Sequence, residues 1–438
     1  MKTRLLVFAL LAASLAPAVS AQTTPVPAAP APPSASAAAA PSSTYTLTPE
    51  KREKAIAYAR ARYGLHFASF VWSSAVLLAI IAWRLGPKYR DRAEAASKNR
   101  FWQAAIFVPL LLTTQAILEL PTGAWGQGLA LKYDQSVQGW GSWFWDQAKG
   151  LIAGLVIAIP LVWLLYAFLR KSPRRWWLWA WLALLPILVF LIFISPLVFD
   201  PLFFKFEPLA PKQPELAAKI EEVTVRAGYP IPQRKMFEMN ASTKNKSINA
   251  YVTGLGASKR VVVWDTTIAK ATIPQTLFVF GHEMGHYVLN HIPKLIAFLW
   301  AFAFVTLAIS AWVLSRWLDR PGGRWGIRGV GDWASLPVLL LVMTVVSEIA
   351  QPAINGFIRK HEHDADVFGL EAIHGLVPEP QRVASEAFQI LGETNLSDPD
   401  PPAFIRFWLY NHPPLAERLR FAAEYDPWGK GEKPEFLR

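Results

Sequence analysis

His282-Glu283-Met284-Gly285-His286 sets two imidazoles four residues apart with a carboxylate beside the first. Apolar residues flank the group, Thr276 to Phe280 before it and Tyr287 to Leu289 after it, as in a buried helix. On a helix His282 and His286 share one face, about 6 Å apart at Cβ. That spacing lets both rings close on one Zn²⁺, with Glu283 placed to take the proton of an attacking water. The chemistry implied is metal-assisted hydrolysis.

A catalytic zinc keeps three protein ligands and one open position, so a third ligand is needed. The chain has no cysteine, which leaves histidine or carboxylate. Seven of its eight histidines follow residue 280. His291, five residues past His286, points off the ligand face of a continuous helix. The metzincin spacing requires Gly at 289 and His at 292, where this chain has Leu289 and Ile292. The remaining source is the stretch from Arg359 to Gly369, where Glu362 and Asp366 share a helix face. One can bind the metal while the other orients a ligand imidazole. The alternative is a solvated, charged helix start that binds nothing, and composition does not choose between them.

The elements that position these groups belong to a membrane protein. Of 438 residues, 53% are hydrophobic and 17% charged. Six apolar spans, near 67–86, 102–120, 150–169, 176–200, 294–316 and 334–358, each approach the ~20 residues that cross a bilayer. Tryptophans such as Trp140, Trp143, Trp145, Trp176, Trp177 and Trp179 gather at span edges, where headgroup belts form. The net charge of +12 sits in short loops beside the spans, which argues for topology signals and against nucleic-acid binding. Met1 to Ala21 reads as a secretory signal, with an uncleaved anchor as the alternative, and 22–47 as an Ala/Pro-rich linker.

Two polar stretches, 201–293 and 359–438, are left to form a water-facing unit. An amphipathic helix is expected near 213–227. Asn249–Leu255 and Arg260–Asp265 read as a β-hairpin turning at Gly256–Lys259. The expected class is mainly α: a polytopic helical bundle or chamber with a hydrolytic unit carrying a small hairpin. Its segments are 48–200 with four spans, 201–293, 294–358 with two spans, and 359–438. A transporter would need paired ionisable residues at mid-span, and Glu348 stands almost alone there.

The upstream His-Glu-x-x-His and the later Glu362-x-x-x-Asp366 together resemble the type I CAAX prenyl protease family, integral-membrane gluzincin zinc metalloproteases. Asn249-Ala250-Tyr251 is similar to that family's substrate-binding strand and Val262–Thr266 to its partner strand. Pro201–Leu209 resembles the segment leaving the membrane, and Asn411-His412-Pro413-Pro414-Leu415-Ala416-Glu417-Arg418-Leu419 the C-terminal block. The resemblance preserves order from about Pro49 to Ala423. It implies one Zn²⁺ per chain held by His282, His286 and Glu362, with Glu283 as base and Asp366 supporting a ligand. It further implies that His412 and Arg418 meet the oxyanion and that Asn249, Ala250 and Tyr251 bind substrate. The family's first membrane helix is missing, and Asn411 stands where Ser is frequent.

The expected activity is hydrolysis of peptide bonds in membrane-associated or envelope proteins, with the bilayer as the other partner. A non-catalytic membrane scaffold with a degenerate site is the competing reading. Basic loops after the first, third and fifth spans (Lys88, Arg90 and Arg92; Arg170, Lys171, Arg174 and Arg175; Arg316 and Arg328) are expected in the cytoplasm. The loop after the second span is read as acidic, with Glu119, Asp134 and Asp146. The polar segments of a bacterial inner-membrane protein would then face the periplasm.

Overall fold

The computed structural model describes residues 42–437 except 255–258 and 319–321. The signal-like Met1–Ala21, most of the linker and most of the expected hairpin turn lie outside the described residues. Among the described residues six helices are long and apolar enough to cross a membrane. They are α1 (Pro49–Ala82), α3 (Arg100–Lys132), α4 (Trp140–Lys171), α5 (Trp176–Ile194, continuing in irregular turns to Leu202), α9 (His291–Leu318) and α10 (Leu336–Ile373). A shorter α2 (Leu85–Ala96) follows α1. The protein is a multi-pass membrane protein built mainly of helices.

Five of the expected spans fall inside longer helical segments, because polar turns continue the apolar core into water; the first, 67–86, runs past the end of α1 at Ala82 into the start of α2. The belt is mixed. Trp140, Trp145 and Trp179 are exposed, whereas Trp143 and Trp176 are buried within the bundle. Glu119 and Asp146, read as loop acids, lie inside α3 and α4 and are buried. Gln115 donates to Glu119 at 3.0 Å, and Asp146 is held by Lys149, Lys244 and Gln138. Glu348 is not isolated either: it lies 2.9 Å from His66 Nε2 and accepts from Trp408 Nε1 at 3.2 Å.

The water-facing unit carries a four-stranded sheet where two strands were expected. Its strands are β1 (Phe206–Pro208), β2 (Met236–Met239), β3 (Ala250–Thr253) and β4 (Arg260–Trp264), in the order β1-β2-β4-β3. The β3–β4 pair is antiparallel, as the hairpin expectation required, and β2 adds parallel to β4. Central β4 is apolar throughout because both faces are covered: Val261, Val262 and Val263 are fully buried. Around the sheet pack α6 (Pro214–Arg226), α7 (Asp265–Lys270), α8 (Ile273–Val288), α11 (Pro380–Thr394) and α13 (Leu415–Glu424), while α12 (Ala403–Leu409) lies against α10.

The decisive contact is α8 against the last turns of α10. The sixth span and the charged stretch after it form one helix of 38 residues, about 57 Å long, with no boundary at residue 359. Glu362 and Asp366 face inward on it, so the solvated-start alternative fails. Backbones touch here: a Cβ on Gly281 would sit 3.1 Å from the Gly369 carbonyl, and one on Gly285 3.1 Å from Ala365 Cα. A Cβ on Gly369 would meet the His282 nitrogen at 2.9 Å.

Gly369→Ala is therefore expected to destabilise by about 1–3 kcal/mol, the cost of overpacking a closed contact. Gly154→Ala, where nothing lies within 4 Å, should be neutral or slightly stabilising. Thermal unfolding in detergent checks this; equal melting temperatures for the two variants would refute it.

Candidate active site

Helix α8 starts on a capping box. Thr272 Oγ1 accepts from the Gln275 N–H at 3.4 Å, and Gln275 Oε1 accepts from the Thr272 N–H at 3.0 Å. Leu277, Phe278, Phe280 and Met284 bury one flank, which turns His282, Glu283 and His286 toward α10 and the cleft. Opposite them stands Glu362. His282 Nε2 lies 3.3 Å from Glu362 Oε2, His286 Nε2 lies 3.6 Å from Oε1, and the two Nε2 atoms are 3.2 Å apart. One ligand atom from each residue falls within 4.8 Å of the others.

These residues fit a divalent cation. His282 Nδ1 is 2.8 Å from Asp366 Oδ1, which assigns its proton to Nδ1 and leaves Nε2 as a lone pair facing the cluster. Burial disfavours charge on His282, yet the bonds to Asp366 and Glu362 outweigh it and raise the ring to about 10. The carboxylates thus call for a positive charge between them. Burial and the neighbouring His282 hold His286 down to about 4, keeping that imidazole neutral. Enclosure pushes the Glu283 carboxyl up to about 7, with His282 opposing and Glu362 adding to the shift.

A cleft of about 90 Å³ opens beside the cluster and is walled by Glu283, Asn249, Phe388, His412 and Arg418 among others. Of the strand residues, Asn249 reaches the cleft. The Ala250 side chain is in the core, and Tyr251 packs on the opposite face with its hydroxyl 3.7 Å from Met239 Sδ. The Trp264 N–H donates to the Asn249 carbonyl, so ladder alternation turns the Ala250 main chain to the outer edge of β3.

Arg418 is buried rather than exposed, and Glu417, a partner it would have had at the surface, pairs with Arg406 at 3.2 Å. The Arg418 guanidinium grips Asp366 bidentately, at 2.8 and 2.5 Å, and stacks over Phe388. Arg418 therefore reaches His282 through Asp366 besides lining the cleft. His412 is half exposed, with Nε2 2.9 Å from Glu362 Oε2 and Nδ1 2.9 Å from Asn411 Oδ1.

The sequence reading missed His291. Its Nδ1 lies 3.0 Å from His286 Nδ1, and the ring is 4% exposed. A continuous helix would have carried it away. Instead α8 stops at Val288, Asn290 adopts a left-handed φ of 56°, and α9 begins at His291, folding the ring back. Asn290 was the available signal, since Asn is tolerated in that conformation at helix ends.

Comparison with known proteins gives the same picture. The description "Peptidase family M48" matches residues 210–426, and "CAAX prenyl protease N-terminal, five membrane helices" matches 34–205. The "Uncharacterized metalloprotease YhfN" of Bacillus subtilis is 34% identical over 378 residues, covering 85% of this chain and 86% of that one. The chain belongs to the M48 peptidase family. CAAX prenyl protease 1 of Saccharomyces cerevisiae is 26% identical over 398 residues, covering 84% and 85% of the two chains. The crystal structure of S. mikatae Ste24p shares the fold with a TM-score of 0.74 at 24% identity, covering 86% of this chain and 90% of that one. Within this M48 chain the cluster His282/His286/Glu362 spans both polar segments, the two histidines before α9 and the glutamate after it.

Removing the partners of the ligand rings tests this arrangement. His291→Leu and Asp366→Asn should each lower metal affinity about 10–100-fold, as loss of a partner behind a ligand does. Competition with a graded chelator measures it; unchanged affinity in both variants would refute the arrangement.

Proposed function

We propose that this chain is a membrane-embedded zinc endopeptidase that cuts membrane-associated or envelope proteins. The observation that carries the reading is the convergence of His282, His286 and Glu362 within 4.8 Å beside a cleft lined by Glu283. Zinc held by those three residues would supply a Lewis acid for the scissile carbonyl and would acidify water toward a pKa of about 7. Glu283 takes the proton of the attacking water and passes it to the amide nitrogen as the carbon–nitrogen bond breaks. Asp366 holds His282 in the tautomer that ligation needs, and Arg418 holds Asp366. His412 and the Arg418 guanidinium put hydrogen-bond donors at the cleft for the oxyanion. The outer edge of β3 takes the substrate as an added strand through main-chain bonds near Asn249, Ala250 and Tyr251.

The substrate class is broader than the name of the yeast relative, CAAX prenyl protease 1, suggests. The likeness to a Bacillus subtilis protein supports a bacterial cell-membrane setting.

Glu283→Gln is expected to keep zinc and lose hydrolysis, because an amide cannot take the proton while both imidazoles remain. Glu362→Ala should lose the metal. Metal content and peptidase activity of the purified variants check both; full occupancy after Glu362→Ala would remove Glu362 from the ligand set.

The unit is assigned to the periplasmic side. Although Glu119 and Asp146 no longer contribute loop charge, the basic loops interlock at one end of the bundle. Arg90 pairs with Asp332 at 2.6 Å, Arg328 with Glu94 at 2.7 Å, and Arg170 Nε donates to the Gly331 carbonyl at 3.2 Å. The sheet unit meets different elements: Lys244 pairs with Asp146 of α4, and Ser136 bridges to Asn245. Short basic loops stay in the cytoplasm, and large domains translocate whatever their charge. A reporter active only outside the cytoplasm, fused after Arg438, should be active. A silent fusion beside a working cytoplasmic reporter would reverse the orientation.

A further inference from the structure

Beside the catalytic cleft lies a second cavity of about 260 Å³ that none of the roles above uses. Lys51, Lys54, Lys246 and Lys270 line it against two carboxylates, Asp134 and Glu393, which leaves two positive charges in excess. Lys51 holds Glu393 at 2.6 Å and Lys54 holds Asp134 at 2.7 Å. Lys246 reaches only the already paired Asp134, at 3.9 Å. Lys270 meets no carboxylate among the described residues, and its Nζ donates to the Lys246 carbonyl. Partial burial and the Lys246 charge hold the Lys270 ammonium below the usual lysine value. Lys246 and Lys270 thus have between them one distant carboxylate that Lys54 already holds; like charges repel, and an anion between them removes that cost.

The cavity continues the cleft. Ile390 lines both, Lys270 directly precedes Ala271 of the cleft wall, and Lys246 lies three residues before Asn249. β3 is an edge strand, so an extended peptide can add to it. In the antiparallel sense the peptide runs against the direction Ala250 to Thr253, and its C-terminal part leaves past Asn249 toward Lys246.

The geometry points to a carboxylate subsite: the lysine-lined cavity binds an anionic group on the C-terminal side of the scissile bond, a free α-carboxylate or an acidic side chain. Such a site fixes where a chain is cut by measuring from the carboxylate. This rests on the peptidase reading above.

The test measures binding, so that it does not need turnover. The full-length Glu283→Gln protein is titrated into fluorescein-labelled peptides of Ala and Leu, lengthened one residue at a time and ending in an acid or an amide. A third set ends in an amide and carries one internal Glu. At one length the acid should bind about tenfold more tightly than the amide. That difference should vanish in Lys246→Gln/Lys270→Gln and persist in Lys246→Arg/Lys270→Arg. Tight binding restored to an amide by the internal Glu would assign the site to side chains, and failure to restore it would assign the site to the C-terminus. Equal binding of acid and amide at every length overturns the proposal, as does a difference that survives the double Gln variant or an absence of any binding. The peptidase reading stands or falls separately, on hydrolysis of the amide series by the unsubstituted enzyme and its loss in Glu283→Gln.

Discussion

The site depends on two helices touching at their backbones. The three ligand-type atoms fall within 4.8 Å of one another where α8 and α10 come closer than packed helices normally do. Gly281 and Gly285 on α8, with Ala365 and Gly369 on α10, remove those side chains over one strip. The helix that supplies Glu362 is also the sixth span. The cluster is therefore tied to the bundle by a continuous helical rod, and an axial shift of that span would move Glu362 against His282 and His286.

Close approach creates an electrostatic problem that the surroundings solve. Two carboxylates and two imidazoles are withdrawn from water within one shell. Every charge there has an answer: Arg418 to Asp366, Asp366 to His282, and His282, His286 and His412 around Glu362. A buried pair such as Arg418–Asp366 adds little net stability, because desolvation offsets most of its attraction. Its use is orientation. Two bonds fix the carboxylate plane, and that plane fixes the His282 ring. His291 does the same for His286, its ring buried and its Nδ1 3.0 Å from the His286 Nδ1.

What was legible in the sequence follows from how local each signal is. The pair His282/His286 and the pair Glu362/Asp366 each lie within one helical turn, so spacing alone exposes them. Apolar length exposes the six spans. Strands β1 and β2 escaped because they are only three and four residues long and each is interrupted by a glutamate, and pairing rather than composition makes them strands. The continuity of α10 through residue 359 escaped because a charged stretch after an apolar run reads as an ending, whereas burial against α8 keeps it helical. The commitment of Arg418 to Asp366 joins residues 52 positions apart, and His291 depends on one left-handed residue. Neither can be reached by periodicity.

Hydrolysis at a membrane requires water at the cleft and its exclusion from the lipid core, and the contacts between the sheet unit and the bundle meet that need. Lys244 enters a buried pocket and is held by Asp146 of α4, while Glu348 in the sixth span binds both His66 of α1 and Trp408 of α12. Trp408 stands four residues before His412. The loop that brings His412 to Glu362 is thus anchored inside the bundle, by a polar contact that would be costly to break in an apolar setting. Because α10 carries Glu348 and Glu362 on the same rod, the anchor and the ligand keep a fixed separation. The bundle positions the cluster as well as holding it in the membrane.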